Sequence, residues 1–167
     1  MNRILTFLTT LLLLTSAKAQ TPAATPAPAT DCQFHVLADD SFELFINGKL
    51  TWKSDDYQNI VQKTIPLRRG DVVVFSVTDK QGGPGGCFAA LIVRANAILA
   101  SSKDFRYSVK PTSDFTTSTS IQNLRMPDLE PLKRSFGLGP DKQPKRAWTQ
   151  KSDRTFAVAH FKYVVLQ

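Results

Sequence analysis

The sequence predicts an all-β protein, a single β-sandwich of jelly-roll type that follows a signal peptide and a Pro/Ala/Thr spacer. Two observations support this class. Short apolar runs rich in β-branched and aromatic residues recur along the chain and are separated by Gly, Pro, Asn and Asp. The same region lacks an amphipathic helical pattern, and strands at this spacing are typical of sandwiches and jelly rolls.

The first thirty residues have the composition of an export signal and a linker. Arg3, the apolar stretch Ile4–Leu14 and the small-residue site Ala17-Lys18-Ala19 follow the order of a secretory signal peptide, residues 1–19. An uncleaved membrane anchor is the alternative, but a spanning helix needs about 18 apolar residues. Residues 20–30 are almost wholly Thr, Pro and Ala, which predicts a disordered linker. We therefore expect a secreted protein, extracellular or periplasmic, without a membrane span.

Residues 31–167 form the predicted domain. The Asn47-Gly48 dipeptide predicts a type I′ hairpin, and the dense β-branched run Val72–Thr78 predicts a strand buried on both faces. Residues 112–150 show too little periodicity to assign elements. The predicted strands are Gln33–Leu37, Phe42–Ile46, Leu50–Lys53, Ile60–Leu67, Val72–Thr78, Cys87–Val93, Ala95–Ser102, Phe105–Val109 and Arg154–Leu166.

Charge is distributed unevenly between the two halves of the domain. Residues 31–100 carry seven basic and eight acidic side chains, whereas residues 101–167 carry twelve and six. A basic half attracts anionic polysaccharide, lipid headgroups or nucleic acid, and the alternative is that the positive charges are spread over a loop-rich surface. Because no Lys/Arg run alternates with aromatic residues, nucleic acid is not expected as a partner.

The two cysteines, Cys32 and Cys87, are predicted to form one disulfide. An oxidising compartment, an even count and the absence of metal-type spacing favour this pairing. Two buried thiols are the alternative.

Acidic and aromatic residues around the first predicted hairpin are the candidate ligand-binding residues. The adjacent carboxylates of Asp39 and Asp40 precede the hairpin, and they form either a structural Asx-type turn or a Ca²⁺ site. The return strand bears Trp52, which is either a stacking platform for a sugar ring or a core residue. Antiparallel pairing brings both to one end of the hairpin, where the following loop adds polar groups. That loop contains Asp55, Asp56 and Tyr57.

The segment from Asp39 to Lys49, DDSFELFINGK, resembles a motif shared by galactose-binding-domain-like jelly rolls and PA14 domains. Residues 70–79, followed by the glycine-rich loop 82–86 and a small-residue strand, are more similar to the galactose-binding group. The resemblance covers roughly residues 36–110 and implies a jelly-roll fold with extracellular carbohydrate recognition. In sugar-binding PA14 domains the paired Asp residues hold Ca²⁺, so the resemblance implies a metal role for Asp39 and Asp40.

Catalysis is not predicted for this chain. His35 and His160 both fall in predicted strands, and no nucleophile-elbow, zinc-protease or phosphate-loop motif occurs. The predicted function is a secreted non-catalytic carbohydrate-binding module whose partner is an extracellular glycan or cell-surface polysaccharide. The alternative is an extracellular structural or protein-interaction β-sandwich without sugar binding.

Overall fold

The structure, a computed structural model, describes residues 27–80, 86–108, 135–139, 142–148 and 158–166. The predicted signal peptide, most of the linker, Val109 and residues 154–157 lie outside these ranges. No helix within them is both long and apolar enough to cross a membrane. The elements are β1 (Thr30–Ala38), β2 (Ser41–Ile46), β3 (Lys49–Ser54), β4 (Val61–Leu67), β5 (Val72–Thr78), β6 (Phe88–Arg94), β7 (Ala97–Ser101), a 3₁₀ turn (Ser102–Asp104), β8 (Arg106–Ser108) and β9 (Val158–Val164).

Two antiparallel sheets pack face to face, which confirms the predicted all-β sandwich. One sheet has the order β4-β1-β6-β7 and the other has the order β3-β2-β5-β9-β8. The chain changes sheet between β1 and β2, β3 and β4, β4 and β5, β5 and β6, and β7 and β8. Repeated crossing between two antiparallel sheets occurs in jelly rolls and in other Greek-key sandwiches.

The strands follow the predicted alternation closely. The bounds of β5 are those predicted, and Asn47 and Gly48 form the hairpin turn with φ of 51° and 78°, as a type I′ turn requires. The observed β7 is shorter than the predicted Ala95–Ser102. The first two residues of the predicted strand, Ala95 and Asn96, instead form the turn between β6 and β7, with φ of 47° and 65°.

Aromatic side chains from both sheets fill the space between them. Phe75 of β5 lies at the centre, with ring centroids 5.2 Å from Phe88 and 5.8 Å from Phe105. Phe88 stacks on Phe161 of β9 at 4.2 Å. Val72 and Val74 lie on the opposite face of β5 in a separate buried cluster, so the prediction that this strand is buried on both faces is confirmed.

A second apolar layer covers the outer face of the four-stranded sheet. Phe136 packs there against Leu37, Ala89 and Leu91, although no sequence pattern assigned its segment to the core. Further along, Ala147 pairs with Phe88 in an isolated antiparallel bridge with hydrogen bonds of 2.7 and 2.8 Å. The next residue, Trp148, is buried among the core aromatics.

The predicted disulfide between Cys32 and Cys87 is wrong, because the two cysteines are not bonded to each other. β1 runs antiparallel to β6, and this register brings Arg94 beside Cys32, where Arg94 Nε donates to Cys32 Sγ at 3.3 Å. Cys87 lies at the other end of the pair, and its carbonyl accepts from Asp39 N at 2.8 Å. Seven residues of strand separate the two ends by roughly 23 Å, whereas a disulfide needs Cα atoms within about 7 Å.

Candidate ligand-binding groove

A one-residue irregularity in the first hairpin determines where Trp52 points. Continuous pairing from the Asn47-Gly48 turn would place Leu44 opposite Thr51. The register instead shifts between Leu44 and Phe45, so that Leu44 lies opposite Trp52. Because side chains alternate between faces, this bulge moves Trp52 onto the same face as the buried Leu44.

Trp52 therefore covers the core at the edge of the sandwich, between β3 and β4. Its ring meets Phe42 edge to face, with centroids 4.9 Å apart, and it packs on the core. Lys63 of β4 holds its ammonium group 5.9 Å from the indole centroid and donates to the Thr51 carbonyl at 3.3 Å. The indole is therefore partly buried and its contacts are largely internal, as in the core alternative for this residue.

A groove of about 510 Å³ lies near Trp52, at the ends of β2, β3 and β5. We call it the Ser54 groove. The pairings of Ser41 with Thr78 and of Phe42 with Ser54 place residues from all three strands side by side. Phe42, which is almost fully buried, contributes to its lining together with Thr78. The remaining polar lining comprises Ser41, Glu43, Lys53, Ser54, Asp55 and Lys80.

The predicted Asp39-Asp40 pair forms the connection by which the chain leaves one sheet for the other. Asp40 has a φ of 60°, a left-handed conformation that Asp tolerates better than most residues, and its carboxylate accepts a hydrogen bond from Lys80 N. Burial raises the pKa of Asp39, and the carboxylates of Asp40 and Asp79 raise it further. The backbone hydrogen bond from Asp40 and the charge of Arg146 act in the opposite direction. The hydrogen bond between Asp40 and Lys80 holds this turn next to the groove.

The loop after β3 divides the remaining predicted residues by role. Asp55 lines the Ser54 groove and is exposed. Asp56 accepts hydrogen bonds from Gln58 N and Asn59 N, both at 3.0 Å, which is the pattern of an Asx turn. Tyr57 is 51% exposed, the largest exposure of any aromatic side chain among the described residues.

The structure therefore brings the six predicted ligand-binding residues to one region but gives them different surroundings. Asp55 lines the groove. Asp40 accepts a hydrogen bond from Lys80, which also lines it, and the Trp52 ring contacts Phe42 in the lining. Within the described ranges, no three His, Cys, Asp or Glu side chains are placed to hold a metal together. The Ca²⁺ assignment to Asp39 and Asp40 stays a prediction.

Sequence reasoning missed the residues that contribute most of the polar lining. Glu43 and Lys53 lie directly opposite each other on β2 and β3, and Lys80 follows β5. The Asn47-Gly48 turn carried the signal for the first pair, since a hairpin with known turn position specifies which residues face each other. The contribution of β5 depends on pairing between segments more than thirty residues apart, which no local pattern specifies.

The comparisons with known proteins yield no relative: no family model, curated protein or solved structure matches this chain.

Proposed function

We propose that this chain is an exported, non-catalytic carbohydrate-binding module and that the Ser54 groove binds the sugar. The observation that carries the proposal is the composition of the groove wall. Two carboxylates (Glu43 and Asp55) and two ammonium groups (Lys53 and Lys80) line one recess, and hydroxyl side chains also line it.

This composition suits the hydroxyl groups of a neutral sugar. A sugar hydroxyl both donates and accepts, so it can donate to a carboxylate while accepting from a neighbouring ammonium group. Hydrogen bonds to ionised groups are roughly twice as strong as those between neutral groups. Because the formal charges of the four side chains cancel, the groove does not select for an ionised ligand. Its volume of about 510 Å³ lies within the range of small-molecule sites.

The adjoining loop and the sequence resemblance support the same proposal. Tyr57 lies two residues beyond Asp55 and exposes half of its side chain, which leaves ring surface for the apolar face of a sugar. The resemblance of the segment 39–49 to galactose-binding-domain-like jelly rolls also favours carbohydrate over other small ligands.

The alternative, an extracellular structural or protein-interaction domain without sugar binding, is favoured by one observation. Trp52 directs its ring toward Phe42 and the core, so Tyr57 is the single aromatic side chain of the described residues that is mostly exposed. Sugar-binding sites commonly use aromatic stacking, and a domain without a second aromatic platform depends more heavily on its polar groups.

A panel of immobilised neutral oligosaccharides, built from hexoses, N-acetylhexosamines and pentoses, tests the proposal. The chain that begins at Gln20 is applied with Ca²⁺ and, in a parallel arm, with a chelator. We expect at least one neutral saccharide to bind. Calcium dependence would show that the metal takes part in binding, as predicted for Asp39 and Asp40, and equal binding in both arms would show that it does not.

Calorimetry with the captured saccharide then locates the site. The double variant Glu43→Gln/Asp55→Asn should weaken binding by about tenfold or more, since hydrogen bonds to charged groups contribute roughly 1.5–3 kcal/mol. Asp31→Asn, an exposed change at the start of β1 in the other sheet, is a single-charge control and should bind as the wild type does. Failure to bind any neutral saccharide, or equal affinity of the double variant and wild type, would overturn the proposal and leave the protein-interaction alternative.

A further inference from the structure

A second groove, of about 560 Å³, lies between β7, the 3₁₀ turn and the segment 142–145. We call it the Lys142 groove. Its lining includes Ile98, Lys103, Asp104, Lys142, Pro144 and Lys145. None of these residues lines the Ser54 groove, and no sequence pattern predicted a site here.

The two grooves lie on opposite sides of the sandwich. The Ser54 groove adjoins β3, an edge strand whose neighbour in the facing sheet is β4, as the contact of Lys63 with Thr51 shows. The Lys142 groove adjoins β7, the opposite edge of the four-stranded sheet, where Tyr163 of β9 donates to the Leu99 carbonyl at 3.3 Å. The Lys142 groove is therefore a separate site from the groove of the proposed function.

One wall of the Lys142 groove is held in place by a single glutamine. Gln143 Nε2 donates to the Leu138 carbonyl at 2.6 Å and to Ser135 Oγ at 2.8 Å, and Gln143 Oε1 accepts from Phe136 N at 2.8 Å. The adjacent Pro144 is buried, and Phe136 is anchored in the apolar layer over the four-stranded sheet. Lys142 and Lys145 thus project from backbone that is fixed before any ligand arrives, which lowers the entropic cost of binding.

The opposite wall is fixed by a capping interaction that also occupies its carboxylate. Asp104 Oδ2 accepts from Ser101 N at 2.8 Å and from Ser101 Oγ at 3.2 Å, and this closes the 3₁₀ turn. The same turn carries Lys103, so three ammonium groups and one hydrogen-bonded carboxylate surround the groove. Its formal charge is +2 from the side chains Lys103, Lys142, Lys145 and Asp104, in contrast to the balanced Ser54 groove.

We propose that the Lys142 groove binds an acidic saccharide through its carboxylate or sulfate groups. Lysine ammonium groups act as compact point charges, which attract either anion without the planar, two-pronged geometry that arginine offers to carboxylate and phosphate. Ile98, 42% exposed, supplies apolar surface for the C–H face of a sugar ring. A recess between two walls admits a narrow chain more readily than it meets a flat bilayer, and the described residues of its lining include no aromatic ring on which a nucleic-acid base would stack.

Calorimetry with three oligosaccharides of matched length, one uronate, one sulfated and one neutral, tests this proposal on the chain that begins at Gln20. We expect binding of at least one acidic probe, with affinity that falls as salt rises from about 0.02 M to about 0.5 M because screening weakens charge attraction. The uronate and sulfated arms distinguish the two sources of the anion. Anionic lipid vesicles and single-stranded DNA are titrated in parallel, and binding of either in place of both acidic saccharides would contradict the proposal.

A charge-matched pair of variants separates the groove from the overall charge of the protein. Lys142→Gln/Lys145→Gln should weaken binding of the acidic probe by about tenfold or more. Lys49→Gln/Arg69→Gln removes the same charge from exposed positions outside the groove and should change affinity by less than about twofold. Equal losses in the two pairs, or no binding of either acidic probe at low salt, would overturn the assignment. Neither result depends on whether the Ser54 groove binds a neutral sugar.

Discussion

The Ser54 groove and the Lys142 groove are similar in volume, about 510 and 560 Å³, but they are built differently. Strand ends and the residues next to them form the first, so its side chains are positioned by the hydrogen-bonded ladder between β2, β3 and β5. A strand edge, a 3₁₀ turn and the segment 142–145 form the second. Its shape therefore depends on side-chain hydrogen bonds such as those of Gln143.

The way each groove is built also affects its charge. Cross-strand pairing places Glu43 opposite Lys53, and opposite charges at paired positions stabilise a sheet by roughly 0.2–1 kcal/mol. This pair adds no net charge to the Ser54 groove. Among the described residues the segment 142–145 has no ladder partner, so no cross-strand carboxylate within that part of the chain compensates its lysines. We expect the two grooves to respond differently to the same perturbations.

The largest effect is expected from Gly86→Ala, which should lower the stability of the fold and damage the Lys142 groove. A Cβ atom at Gly86 would overlap the indole ring of Trp148. Overpacking of this kind costs roughly 1–3 kcal/mol, and displacing Trp148 would also disturb the segment that carries Lys142 and Lys145. Urea unfolding should show the loss of stability, and acidic-saccharide binding should fall.

Gly139→Ala is the matched control for that change. A Cβ atom at Gly139 would meet no atom within 4 Å, so stability and both binding activities should remain close to those of the wild type. Similar losses of stability in the two variants would contradict the close packing of Trp148 on Gly86.

Gln143→Ala should loosen one wall of the Lys142 groove. The substitution removes three hydrogen bonds within the segment 135–143, each worth roughly 0.5–1.5 kcal/mol in net stability. Because part of the segment is exposed to water, we expect a loss of about 1–2 kcal/mol in urea unfolding, together with weaker acidic-saccharide binding. Gln62→Ala, at an exposed position of β4, should leave both unchanged; if the two variants behave alike, Gln143 does not order the wall.

Lys162→Met tests a buried amine that lies outside both grooves. Lys162 of β9 is 3% exposed, its Nζ has no hydrogen-bond partner among the described residues, and burial lowers its pKa. An apolar side chain of similar length should raise the free energy of unfolding by about 1 kcal/mol at neutral pH, since it removes the desolvation cost of the amine. Both binding activities should be unchanged. A less stable variant would show that the amine has a compensating partner.

The smallest effect is expected from acidification, which should weaken the fold without changing which groove binds which ligand. Burial lowers the pKa of His35 and His160 from 6.5, and neither residue lines a groove. Between pH 6.5 and the lowered values, the unfolded chain binds more protons than the folded chain does. Stability should therefore fall as pH drops through this window and recover as pH rises.

Urea unfolding of His160→Gln from neutral to mildly acidic pH checks that prediction. The variant should lose stability less steeply than the wild type does on acidification. The raised pKa of Asp39 acts at lower pH and in the opposite sense, because its protonation in the folded state relieves the cost of ionising a buried carboxyl group. A steeper slope in the variant would contradict the assignment to His160.

The sequence predicted the fold well because its signals are local. The many β-branched residues of Val72–Thr78 predict a strand, and Asn47-Gly48 predicts a hairpin turn because both residues suit a positive φ. Neither prediction needs knowledge of distant residues. The orientation of Trp52 escaped prediction because one bulged residue reverses the face of every side chain beyond it. The pairing of Cys32 with Cys87 failed for a related reason, since the register of β1 against β6 is a property of the assembled sheet.

The candidate sites were predictable to different degrees for the same physical reason. Asp40 and Asp55 flank a recognisable hairpin, so their proximity to one groove follows from local pairing. Lys103 and Lys142 are separated by a long stretch without periodicity, and only tertiary packing through Phe136 and Trp148 brings them together. Loops acquire position from contacts that local composition does not encode.

The measurement that tests the central comparison most directly is a reciprocal calorimetric titration. Wild type, Glu43→Gln/Asp55→Asn and Lys142→Gln/Lys145→Gln are each titrated with the captured neutral saccharide and with the acidic saccharide at low salt. The account predicts that each double variant loses about tenfold or more for one ligand and keeps the other. If both variants lose the same ligand, or if each affects both ligands equally, the two grooves do not divide recognition by charge.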